Sequence, residues 1–230
     1  APSFPCPDQP PWAPLRCLAG THRTVPHPQN YPMIPKTPVV REALALMKDW
    51  EKEPEHVLHV TDWAVRLFEE LRAEHKLGKK ELDYLAAGSL LHDTGWSTAT
   101  EERPHHKESA RRIREHPWQN LSQKERDFVA LVARYHRKSA PSSRHQRYLN
   151  LESSRREPLR WLAAILRIAD AMDRSHSQKL LFQKMELKPG VCLIFARGEG
   201  VEEANLGLER KSDLFQQVSG RQPFLKTSPT

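Results

Sequence analysis

Residues 90–96 read Leu90-Leu91-His92-Asp93-Thr94-Gly95-Trp96, placing an imidazole beside a carboxylate where an apolar run meets a glycine. Burying either group without a partner costs on the order of several kcal/mol. Neutral imidazole and carboxylate are both good ligands for divalent first-row ions. A metal centre built from several helices therefore explains the pair, provided other His and Asp residues converge on it.

Upstream, Thr37–Pro38 reads as an N-cap and first helical residue, opening a helix through Trp50. Pro54 opens a second, expected over 54–76, with Val57, Val60, Ala64, Leu67, Phe68 and Leu71 at helical spacing. A third is expected over 79–93, stopping at Gly95. Downstream, helices are expected near 104–116, 122–138 and 156–175, the last with Leu159, Leu162, Ala163, Leu166, Ala169 and Met172 on one face. Residues 179–198 predict two strands around Pro189–Gly190, followed by a return to helix and a closing strand near 222–227. The expected class is mainly α, a helical bundle with a small C-terminal α+β tail. Three parts are expected: a proline-rich irregular arm over 1–36, a helical metal-binding domain over 37–177, and an α+β extension over 178–230 packed on it.

The chain has 230 residues, enough for one sizeable core. Eleven of its 19 prolines precede residue 39, which favours extended segments there. Phe4, Trp12, Leu15, Leu18, Tyr31 and Ile34 would let this arm lie along the domain surface. No run approaches the roughly 20 apolar residues of a membrane span, and no secretory signal pattern opens the sequence. Cys6, Cys17 and Cys192 form no metal or disulfide framework, so a cytoplasmic setting is expected. Residues 101–160 hold fifteen Lys/Arg against eight Asp/Glu, an excess equal to the whole chain's +7. That concentration points to an anionic partner; a solvated helical face is the simpler alternative.

His56 lies on the apolar stripe of the second helix, and Asp170 interrupts the run LAAILRIADAM. His59 competes with His56, and Arg167 or Arg174 would neutralise Asp170 by ordinary pairing on its own helix. His105, His106 and His136 lie near helix ends amid cationic residues.

His56, LLHDTGW and IADAMDRSH resemble the H…HD…D signature of the HD-domain metal-dependent phosphohydrolase superfamily. HVLHVTDWAVRLFEEL, HHKESARRI, LVARYHRKSAP and ERKSDLFQQVSG carry the likeness further. Over about residues 39–226 the chain resembles the C-terminal HD-type domain of the exopolyphosphatase/guanosine pentaphosphatase (Ppx/GppA) family. The resemblance implies His56, His92, Asp93 and Asp170 as metal ligands, with His105 and His136 available to a second ion bridged by Asp93. It implies one or two divalent ions drawn from Mn, Mg, Fe, Zn or Ni. The family's two-domain proteins also have an actin-like catalytic half, for which residues 1–36 are too short; the likeness therefore does not imply exopolyphosphatase activity. There is no HHExxxGxGYP run and no HDxxED pattern, which disfavours cyclic-dinucleotide and alarmone hydrolysis.

The expected function is metal-dependent hydrolysis of a nucleotide or other small phosphate ester. Asp93 or Asp170 would accept the attacking water's proton, and Lys107, Arg137, Lys138 and Arg174 would recognise phosphate. Trp96 reads as a core or rim aromatic and Tyr135 as packing. The expected partner is an anionic phosphorylated small molecule or polyphosphate, with nucleic acid less favoured and no membrane. Two alternatives stay open: a non-catalytic polyphosphate- or nucleotide-binding regulatory module with a retained HD fold, and a diiron oxygenase. Oligomeric state is not legible.

Overall fold

The computed structural model describes residues 31–227. Most of the expected proline-rich arm, with Cys6 and Cys17, lies outside them. Of its apolar residues that are described, Ile34 is buried in the core and Tyr31 packs half-buried against it.

The protein is mainly α, with a small C-terminal α+β piece. Helix α1 (Pro38–Trp50) opens on Pro38, with Thr37 accepting the Val40 N–H. Helix α2 (Pro54–Glu70) ends earlier than expected: the chain turns at Leu71 into a single turn, α3 (Arg72–His75), closed by Lys76 in the left-handed region. Helix α4 (Lys79–Leu90) starts where Glu81 accepts the Gly78 N–H. Then follow α5 (His105–Glu115), α6 (Gln123–Arg134), the short α7 (Gln146–Leu149) and α8 (Ser153–Met172). A capping box starts α6, with Glu125 accepting from both the Ser122 N–H and its hydroxyl.

Buried faces explain the arrangement. Along α2, Val57, Val60, Ala64, Leu67 and Phe68 are buried, and α2 packs on both α4 and α8. Helix α4 also contacts α1 and α6, while α5 lies along α6. Each fully buried Leu, Val or Phe side chain contributes roughly 1.5–3 kcal/mol of transfer free energy.

Strands β1 (Leu181–Lys188) and β2 (Val191–Arg197) form an antiparallel hairpin around Pro189–Gly190. Helices α9 (Val201–Lys211) and α10 (Asp213–Ser219) then carry the chain to β3 (Gln222–Thr227), parallel to β2. Helix α9 packs on α8 next to its C-terminal end, at Gly207, where a Cβ would meet that of Ala171 at 3.0 Å. Among the described residues no helix is long and apolar enough to cross a membrane.

Candidate metal and phosphate site

His92 and Asp93 lie beyond the end of α4, not inside it as the apolar pattern predicts. Side chains replace the helical ladder at this point. The His92 Nδ1–H donates to the Ser89 carbonyl at 2.6 Å, and the Thr94 hydroxyl donates to the Leu91 carbonyl at 2.9 Å. The Gly95 N–H donates to the Ser109 hydroxyl at 2.9 Å. A Cβ at Gly95 would collide with the His105 carbonyl and lie 2.5 Å from the Ser109 amide nitrogen. Glycine thus lets the start of α5 press against this bend, which brings His105 to Asp93.

The same device recurs after α6. That helix ends at Arg134 instead of near 138, and the His136 Nδ1–H donates to the Ala133 carbonyl at 2.7 Å. On α2, His56 donates its Nδ1–H to Asp173 at 2.8 Å. In all three histidines the Nδ1 hydrogen bond fixes the tautomer and leaves the Nε2 lone pair available, the usual second-sphere arrangement of a metal-ligating imidazole.

Those lone pairs converge. His56 Nε2 is 3.8 Å from Asp170 Oδ1 and 3.9 Å from Asp93 Oδ2, which is itself 3.6 Å from His92 Nε2. Asp93 Oδ1 faces the other way, 3.4 Å from His105 Nε2 and 3.5 Å from His136 Nε2. Bonds of about 2.0–2.2 Å place two donors on one ion about 3–4 Å apart, so these spacings fit a cation between them. The buried atoms His56 Nε2, His92 Nε2 and Asp93 Oδ1 have no hydrogen-bond partner among the described residues. Such orphaned atoms are costly in a protein interior. Among the described residues, two groupings have donor atoms close enough for an ion: His56, His92 and Asp170; and His92, Asp93 and His136. His105 differs, because the Arg137 guanidinium lies 3.2 Å from its Nε2.

Electrostatics keep the carboxylates charged. Burial opposes ionisation of Asp93, but the neighbouring His92, His136 and His105 outweigh it and hold its pKa below the usual range. Asp170 follows the same logic, with Lys211 as the largest favourable influence. Burial pushes His136 well down, and burial with Arg137 lowers His105 to about 4. Burial opposes protonation of His56, but Asp173, Asp170 and Asp93 outweigh it and raise its pKa. A divalent ion needs neutral imidazoles and ionised carboxylates, so it competes with protons at His56 more than at His105 or His136.

The alternatives left open by the sequence resolve geometrically. His59 turns away, its Nε2 bonded to the Leu180 carbonyl at 2.9 Å. Arg167 reaches Asp213 and the carbonyls of Lys211 and Lys138 instead of Asp170. The ammonium on Asp170 belongs to Lys211, at the end of α9. Lys211, Asp173 and His176, whose ring stacks parallel on His56 at 3.8 Å, are site residues to which the sequence assigned no role.

A cleft of about 680 Å³ opens over the cluster, and Arg137, Arg174 and Lys211 line it. Trp96 stands at its rim, stacked on His105 at 3.8 Å. Tyr135 is buried packing, with its hydroxyl on His145. The other two phosphate candidates do not line this cleft. Lys107 lines a separate basic cleft beyond α5, and Lys138 is exposed, with a left-handed backbone. Cys192 is buried in β2, its thiol pushed up to about 12 by burial, which is unlike a nucleophile.

Fold and cluster together define a mainly helical domain with His–Asp groups placed to hold a metal ion beneath a cationic rim. The chain belongs to the Ppx/GppA phosphatase family: the family's domain III matches residues 40–193. No curated protein matches the chain.

Proposed function

We propose that this protein is a metal-dependent phosphohydrolase of the HD type, acting on a nucleotide or other small phosphate ester. The observation that carries the proposal is the convergence of partnerless His56 Nε2, His92 Nε2 and Asp93 Oδ1 beneath a cleft lined by Arg137, Arg174 and Lys211. His56, His92, Asp93 and Asp170 would hold one divalent ion. The opposed oxygens of Asp93 would allow it to bridge to a second ion on His105 and His136, which requires Arg137 to leave His105.

A bound divalent ion supplies Lewis acidity and a more acidic water. The chain's own residues do the rest. Arg137 and Arg174 would clamp phosphate oxygens, Arg offering a forked donor pair. Lys211 would hold Asp170 in place and add positive charge where the phosphoryl group gains negative charge. Asp93 or Asp170, both kept ionised by their neighbours, would accept the proton of the attacking water. Residues 37–177 would form the metal-binding unit, and 178–230 an extension that lends it Lys211.

Elemental analysis and a phosphate-release screen on one metal-replete preparation test this reading. The expected result is one or two ions per chain and turnover of at least one phosphate ester, both abolished by Asp93→Ala and by His92→Ala while far-UV circular dichroism is retained. Stoichiometric metal with no turnover of nucleotides, alarmones, polyphosphate or generic phosphoesters would reject the hydrolase and leave a binding module.

A further inference from the structure

A second concave surface lies on the far side of α5, between that helix, α6 and α7. Its volume is about 630 Å³, and six cationic side chains line it against three carboxylates. An adjoining hollow of about 220 Å³ shares Arg114, Asp127 and Arg147 with it. Arg103 and Arg111 are neutralised locally by Glu108, and Arg111 also by Glu115. Asp127 is bound by Gln123.

Four cations are left over. Among the described residues, Lys107, Arg114, Arg134 and Arg147 pair with no carboxylate. Arg114 and Arg134 are half-buried, and burial lowers the pKa of both; at Arg114 repulsion from Arg147 and Arg134 is set against attraction from Asp127 and Glu115, and the pKa still falls. Crowding guanidinium groups in a partly desolvated concavity is unfavourable unless an anion enters. The main cleft has no aromatic or aliphatic lining, so it offers nothing on which a base or an acyl chain would pack.

We propose that this cleft is a second anion-binding site, separate from the His–Asp cluster, for a compact oligophosphate recognised through its phosphoryl oxygens. Guanidinium forks on three elements suit an anion with several phosphoryl groups better than a single carboxylate. The cleft's size matches a small-molecule ligand. The proposal does not depend on the cluster's being catalytic, because none of the four cations lines the cluster's cleft.

Calorimetric titration of inorganic tripolyphosphate into the full chain, stripped of metal on a chelating resin, tests it. Lys107 and Arg147 are exposed, so Lys107→Gln/Arg147→Gln leaves the core untouched. The expected result is saturable one-to-one binding that weakens with salt and loses at least about tenfold in affinity in the double variant, since each charged hydrogen bond is worth about 1.5–3 kcal/mol. Asp93→Ala should change it by less than about twofold, and ATP should bind no tighter than tripolyphosphate. No saturable binding, or a loss in Asp93→Ala with none in the double variant, would overturn the proposal. Tighter binding of a 20-nucleotide oligomer per phosphate would overturn it in favour of a nucleic-acid surface.

Discussion

The His–Asp cluster and the basic cleft are both incomplete, in opposite senses. In the cluster, buried lone pairs point at shared positions and are held there by Ser89, Ala133 and Asp173. In the cleft, Lys107, Arg114, Arg134 and Arg147 gather with no carboxylate paired to them among the described residues. Directed lone pairs select an ion by geometry and ligand type, whereas unpaired cations attract negative charge with little demand on shape. Helix α5 and the end of α6 serve both regions, with His105 and, just past α6, His136 on one side and Lys107 and Arg134 on the other.

Asp173→Asn should separate the two most sharply. An amide can donate to His56 Nδ1 and so turn the tautomer that leaves Nε2 free. Metal affinity should fall about ten- to a hundredfold, measured by competition with a chromogenic chelator, while tripolyphosphate affinity stays unchanged. A parallel loss of both would mean that the regions are not independent. Gly95→Ala should instead weaken both regions together. The added methyl must displace the start of α5, which carries both His105 and Lys107. A cost of about 1–3 kcal/mol in urea unfolding is expected, and wild-type stability would show that α5 shifts without strain.

The smallest effect is expected at the start of α6. Lys80 and the Ser122 cap hold Glu125 down to about 2, against an ordinary value of 4.5. Its folded pKa is depressed, so its contribution is complete above pH 4.5 and is lost as pH falls through about 2. Glu125→Gln should flatten the acid limb of the stability profile over that window and leave both ligand affinities at neutral pH unaltered.

The fold was largely legible because its helices bury regular apolar faces. His56, His92, Asp93 and Asp170 were legible for the converse reason: each interrupts such a face. Helix ends were harder to place. Nothing in the apolar pattern shows His92 and His136 bonding back to carbonyls three residues earlier, which ends α4 and α6 early. Lys107 lines the other cleft because residues two apart on a helix do not share a face, and His105 takes the face toward Asp93. Arg137 and Lys138 diverge at the left-handed Lys138, with Arg137 facing the cluster. Lys211 left no trace, being a lysine in the last turn of an amphipathic helix 41 residues after its partner.

The partnership of Lys211 with Asp170 also bears on how such a centre can diversify. The match to the family's domain III ends at residue 193, so a fragment cut there would keep every imidazole of the cluster and lose the ammonium beside Asp170. Substitutions along α9 can therefore change the charge beside Asp170 without touching the residues that match domain III. Under the proposed function, two proteins with identical histidines and aspartates would differ in their preferred ester through this helix alone.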